Sequence, residues 1–174
     1  MITFRTISED DIEMIGRWRE MPRIDSMMST HYTYDPIKQK AWYDKIFDSG
    51  LDCFHWIILD SDRPVGFLNL QKFDKDRRYT EWGWYIGEDD FNFGSIIPCY
   101  LYNLLFNVSN LVDTIGAVVK KTNRNVIKLH LCHGYRLVKI DYDMVYLDLD
   151  KDTWLDNKRW HNLNMIIGRN HDRI

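Results

Sequence analysis

The chain has 174 residues, 45% of them apolar, 14% aromatic and 28% charged, with a formal net charge of −3. That composition belongs to one folded domain with a polar surface; it excludes a disordered chain and lacks the basic surplus of a nonspecific nucleic-acid binder. Cys53, Cys99 and Cys132 are odd in number and far apart, which suits reduced core thiols of a cytoplasmic protein better than a disulfide framework or a zinc site.

Residues 2–7 alternate as a first strand would. Ser8, with Asp11 three positions on, then makes a capping-box start for a helix carrying Ile12, Ile15 and Trp18 and closed by Pro22. Asp35-Pro36 places an N-cap and an N1 proline before a second helix with Trp42, Tyr43, Ile46 and Phe47, which Gly50 ends. Residues 53–59 and 65–73 read as strands joined by the turn-forming 60–64, and 79–87 follows as the third strand of a meander. Beyond it the pattern alternates: a helix over 95–108, a strand over 112–119, a short helix, then strands over 135–140 and 144–149. The apolar stretch at 95–108 is broken by Pro98 and Asn103 and falls short of the ~20 residues of a membrane span. Residues 1–11 carry acids and no apolar block, so no signal peptide is expected. A meander passing into a strand-helix-strand crossover implies an α/β (α+β mixed) protein, a mixed sheet covered by helices.

The short helix is defined at both ends. Thr122 or Asn123 can cap its first turn, and Gly134 sits where a left-handed residue stops it. On a helical wheel Val126, Ile127, His130 and Leu131 share the inward arc, whereas Arg124, Lys128 and Cys132 lie off it and His133 is expected at the surface.

The wording from Asn123 to Tyr135, Asn-x-x-Val-Ile-x-Leu-His-x-x-x-Gly-Tyr, resembles the acyl-CoA-contacting helix of the GNAT acyltransferases, usually Asn-x-x-Ala-x-x-x-Tyr-x-x-x-Gly-Phe. Asn123, Gly134 and Tyr135 fit that template; His130 stands at the tyrosine that protonates the departing CoA thiolate, and Val126 at the small residue. The spelling Val-Ile-Lys-Leu-His is similar to the pseudaminic-acid-pathway acetyltransferases of nucleotide-linked amino sugars, and there is a more distant likeness to ribosomal-protein N-acetyltransferases. The order of elements follows the GNAT fold over residues 1–150, with about seven strands and about four helices. Residues 151–174 are then an extension of the same domain, where an extra helix and partial disorder are both open.

The resemblance implies acetyl-CoA as co-substrate, no metal, and direct attack of an amine on the thioester. It places the pantetheine and oxyanion contacts on the backbone N–H groups of Trp84, Tyr85 and Ile86. The pyrophosphate falls at Asn92, Phe93, Gly94 and Ser95, with Asn123 and Ile127 as further donor contacts. The phosphate loop departs from the family form: it keeps one glycine, lacks the basic or amide residue, and follows Glu88, Asp89 and Asp90, which repel a polyanion. Glu81 is the carboxylate placed to take the proton of the amine, and His130 the acid toward the thiolate. Arg19, in Trp-Arg-Glu-Met-Pro, is the candidate for a diphosphate, with Met28, His31, Tyr32 and Trp42 completing an acceptor pocket. These residues point to an N-acetyltransferase of a nucleotide-linked amino sugar, in the cytoplasm, without nucleic-acid or membrane partners and with a homodimer open. Two alternatives stand beside it: acetylation of protein N-termini or small amines, and a non-catalytic GNAT-like binding module.

Overall fold

The computed structural model describes residues 1–51, 54–92 and 94–157. Its elements run β1 (Ile2–Thr6), a 3-10 turn (Glu9–Asp11), α1 (Ile12–Glu20), α2 (Pro22–Asp25), α3 (Pro36–Asp48), β2 (His55–Asp60), β3 (Arg63–Asp74) and β4 (Tyr79–Ile86). After a second 3-10 turn (Gly94–Ile96) come α4 (Ile97–Tyr102), passing into a π-helical stretch (Asn103–Val108), β5 (Thr114–Lys120), α5 (Arg124–Cys132), β6 (Arg136–Asp141), β7 (Met144–Asp150) and α6 (Lys151–Leu155). The strands form the expected mixed sheet in the order β1-β2-β3-β4-β5-β7-β6. The β4–β5 pair is parallel, and β1–β2, β2–β3, β5–β7 and β6–β7 are antiparallel. The parallel register pairs Tyr79, Thr80 and Glu81 with Thr114, Ile115 and Gly116. Backbone contacts divide the chain into two compact units, Met1–Gln71 with Trp82–Gly94, and Lys72–Glu81 with the residues from Ser95 onward.

In the first unit the local signals behave as chemistry dictates. The Asp11 carboxylate accepts from the Ser8 backbone N–H at 2.7 Å and from both Arg5 Nη atoms at 2.8 Å, closing the capping box. Asp35 caps α3 by accepting from the N–H groups of Ile37 and Lys38. Ser61 and Asp62, at φ 48° and 72°, make the two-residue turn between β2 and β3, as the twist of a hairpin requires. Pro22 does not simply end the first helix: α1 stops at Glu20 and Pro22 opens α2, where a missing N–H costs no hydrogen bond. Ile7, Ile15, Tyr43, Ile46, Ile57 and Phe67 form the core, with Trp42 and Tyr85 packed against it. Trp18 lies flat over Gly87, where an added Cβ would stand 2.1 Å from its ring, and its Nε1 donates to Glu88 at 3.0 Å.

The second unit is built on β7, whose alternation buries Val145, Leu147 and Leu149, while β6 is exposed along all six residues. Tyr102 sits fully buried between the rings of Trp154 (4.9 Å) and Tyr135 (5.8 Å), so α6 carries a core residue in Trp154. Of the extension, where the sequence leaves an extra helix and partial disorder both open, residues 151–155 form α6, and Trp160, with 158–174, lies outside the described residues, as does Cys53. Around α5 two expectations of the wheel and one about the thiols need correction. Leu131, expected inward, is 49% exposed; His133, expected outward, is 4% exposed; and Cys132, expected in a core, is exposed, unlike Cys99. His133 is the C-cap of α5, ahead of Gly134 at φ 98°, and its imidazole packs against Tyr102 and Trp154.

Candidate active site

The first unit encloses a cavity of about 420 Å³ between α1, the segment after α2, α3, β3 and β4. Arg19, Met28, Tyr32 and Trp42 all line it, as the sequence pattern predicts. His31 does not: its ring is 89% exposed, with Nδ1 2.7 Å from Asp25. Arg19 is also not the free fork that a diphosphate would use. Its Nη1 donates to Asp25 at 2.7 Å and its Nη2 to the Thr30 carbonyl at 2.5 Å, so the guanidinium braces the segment after α2. The bonds from His31, then Arg19, pull the Asp25 carboxyl down to about 2. Tyr32 donates to Gln39 Oε1 at 2.5 Å. The residues that sequence reading missed are mostly neutral: Gln39, Phe67, Asn69, Gln71 and Gly83, together with Lys38 at the rim. A signal for them exists in the period-2 spacing of Phe67, Asn69 and Gln71, which puts two amides on one face of an otherwise apolar strand.

Trp84 and Tyr85, expected as backbone contacts of the donor, also line this cavity. The Ile86 carbonyl accepts from Arg23 Nη1 at 2.8 Å and that of Gly87 from Nη2 at 2.6 Å. The acids that follow are all engaged: Glu88 by the Trp18 indole, Asp89 by Arg23 Nε at 2.6 Å, and Asp90 by both Nη atoms of Arg63 at 2.8 and 3.1 Å. The charge that a polyanion would meet at 88–90 is therefore largely offset by two arginines from other elements. Asn92 donates to the Asp90 carbonyl, Gly94 and Ser95 open the second 3-10 turn, and Phe93 lies outside the described residues.

The second unit has its own cavity, about 380 Å³ on the exposed face of β5 and β7, lined by Glu81 with Tyr79, Arg77, Arg136, Lys139, Tyr146 and Asp148 among others. Glu81 accepts from Lys72 Nζ at 2.9 Å and lies 3.5 Å from the Tyr79 hydroxyl. Burial, then Glu81 and Asp148, push the Tyr79 phenol up to about 12. Burial also raises Asp148, with Asp150 and Glu81 adding to it and Arg136 opposing. His130 is elsewhere in this unit. It is 2% exposed, packs at 4.6 Å on Tyr135, has Nδ1 3.5 Å from the Tyr102 hydroxyl, and is driven down to about 3 by burial and then by His133. A neutral imidazole at that depth weighs against an acid that must reach a thiolate. Asn123 spends its side chain on the helix, accepting from the Val126 N–H at 3.4 Å, and Ile127 is half-buried.

Residues 4–157 match the family described as the acetyltransferase (GNAT) domain, and the chain belongs to it; the protein is an acetyltransferase. Among curated proteins it is similar to the acetyltransferase PseH of Campylobacter jejuni, 22% identical over 84% of this chain and 90% of that one. Among solved structures it is similar to FdhC, a nucleotide-linked sugar GNAT, with a TM-score of 0.78 at 22% identity over 92% and 93% of the two chains. It is also similar to the spermidine N-acetyltransferase of Vibrio cholerae in complex with CoA and spermine, with a TM-score of 0.77 at 15% identity over 89% and 98%. Among the described residues no helix is long and apolar enough to cross a membrane.

Proposed function

We propose that this acetyltransferase takes acetyl-CoA as donor and acetylates the amino group of a nucleotide-linked amino sugar held in the cavity of the first unit. The lining of that cavity carries the reading: aromatic faces from Trp42, Phe67 and Tyr85, amides from Gln39, Asn69 and Gln71, the cation Lys38 at the rim, and, among the described residues, no carboxylate. Aromatic faces and amides suit a base and a hydroxylated ring, and a positive rim suits a phosphate. A polyamine would bring two or more ammonium groups against a lining that offers them no counter-charge among the described residues. In the first unit donor contacts fall on the backbone of Trp84, Tyr85 and Ile86 and on Asn92 and Gly94, and the pairing of Asp89 with Arg23 and of Asp90 with Arg63 reduces the objection to a pyrophosphate there. In the second unit Glu81, fixed by Lys72 and Tyr79, is the carboxylate able to serve as a proton acceptor. The new bond joins the amine nitrogen to the acetyl carbon, the carbon–sulfur bond breaks, and CoA leaves as the thiol or thiolate.

A second reading, a small polycationic amine as acceptor, has one observation in its favour: Glu81 and Asp148 line the other cavity together. Two measurements test the choice. Acetyl-CoA at a hundredfold excess over its dissociation constant should stabilise the fold by ~2.7 kcal/mol, and a flat thermal-shift titration at millimolar donor would defeat the donor assignment. Initial rates with a nucleotide-linked amino sugar should exceed those with spermidine or a peptide N-terminus, and the reverse order would move the protein to the second reading.

A further inference from the structure

The lining of the first unit's cavity includes a pair of amides on β3. Asn69 and Gln71 lie two residues apart on β3 and so project from the same face. Gln71 Nε2 donates to Asn69 Oδ1 at 3.2 Å, which fixes the Asn69 amide and turns its own Nδ2 donors away from that contact. Room for the pair comes from β4: at Gly83 an added Cβ would stand 3.0 Å from Gln71 Nε2 and 3.2 Å from Asn69 Oδ1. Both amides and the glycine line the same cavity as the aromatic rings of Trp42 and Tyr85, which pack on Phe67 of the same strand. A fixed, neutral N–H donor beside aromatic faces reads an uncharged oxygen and disfavours an ammonium.

We propose that Asn69 is a specificity-determining residue, donating through Nδ2 to a ring hydroxyl of the acceptor sugar, with Gln71 and Gly83 as positioning residues. This rests on the nucleotide-linked amino sugar reading above and names what in the cavity recognises the sugar. The test compares the parent nucleotide-linked amino sugar with its single-deoxy analogues on wild type, Asn69→Ala, Asn69→Asp, Gln71→Ala and Gly83→Ala. Wild type should prefer the parent over one deoxy analogue by roughly two- to tenfold in kcat/KM, the range for a neutral hydrogen bond. Asn69→Ala should erase that preference and leave the acetyl-CoA KM unmoved. Asn69→Asp, which replaces the Nδ2 donor by an acceptor, should lose the preference as well, and Gly83→Ala and Gln71→Ala should lose part of it, because each disturbs the amide without removing it. Retention of the full preference by an active Asn69→Ala overturns the assignment of Asn69 alone. A wild type that acetylates no nucleotide-linked amino sugar overturns the acceptor reading, and the Asn69 assignment with it.

Discussion

The two cavities differ in what they can offer a substrate. That of the first unit has aromatic walls, amides and two cations, and among the described residues its lining contains no acid. That of the second is a charged sheet face where Glu81 and Asp148 share space with Arg77, Arg136 and Lys139. The first is built to recognise, by shape and neutral hydrogen bonds. The second brings two carboxylates, Glu81 and Asp148, into one charged wall. The contrast teaches that two cavities of similar volume in one chain can differ chiefly in the charge of their walls.

The most damaging blow to this contrast would fall on Glu81. Glu81→Gln keeps the shape and removes the base, so kcat should drop by at least about a hundredfold, ~2.7 kcal/mol of barrier, with acceptor KM little changed. Unaltered turnover would leave the second cavity with no part in the chemistry. The contrast sharpens inside the second unit, where His130 should matter for stability instead. Its folded value near 3 lies below the ordinary 6.5, so the unfolded chain takes up the proton first as the pH falls. The contribution of His130 is therefore complete above ~6.5 and declines at about 1.4 kcal/mol per pH unit between there and the folded value. Urea melts of His130→Phe should show a shallower loss in that window, with turnover per folded molecule preserved; a large fall in kcat at unchanged stability would return His130 to the proton-transfer chemistry.

In the first cavity the expected effects are smaller and fall on acceptor binding. Arg19→Lys cannot hold Asp25 and the Thr30 carbonyl at once, so acceptor KM should rise roughly three- to tenfold while donor KM stays put. Equal movement of both constants would show a general loosening of the unit. Smallest is Lys38→Gln at the rim, where the ammonium is 84% exposed. About a twofold rise in acceptor KM is expected at low salt, fading as ionic strength climbs. Absence of salt dependence would argue that no phosphate passes this lysine.

Much of the fold was legible because its local signals are strong. Ser8 with Asp11, Asp35 with Pro36, and Gly134 each mark a boundary through bonds that the structure makes, and the order of strands follows. The site was legible in part. Arg19, Met28, Tyr32 and Trp42 were placed in one cavity by their resemblance to an acceptor segment, but their hydrogen bonds were not: Arg19 is committed to Asp25, a partner six residues away on another helix. His133 failed for a geometric reason, since a helical wheel says nothing about a side chain at the residue where the helix ends. Asn69, Gln71 and Asp148 were missed because a lone polar residue on a strand looks like ordinary alternation until the element covering that face is known.

Trp18 and Gly87 have a consequence for how this sequence can change over time. With the indole ring lying 2.1 Å from where a Cβ would sit, any side chain at 87 is shut out while Trp18 remains, and a smaller residue at 18 would abandon the bond to Glu88. Neither position can drift by itself without a penalty, so descendants should either inherit both residues or replace both together. The route between those two states passes through a less fit ancestor, which makes the pair a ratchet: once assembled, it records the lineage more faithfully than the exposed residues around it.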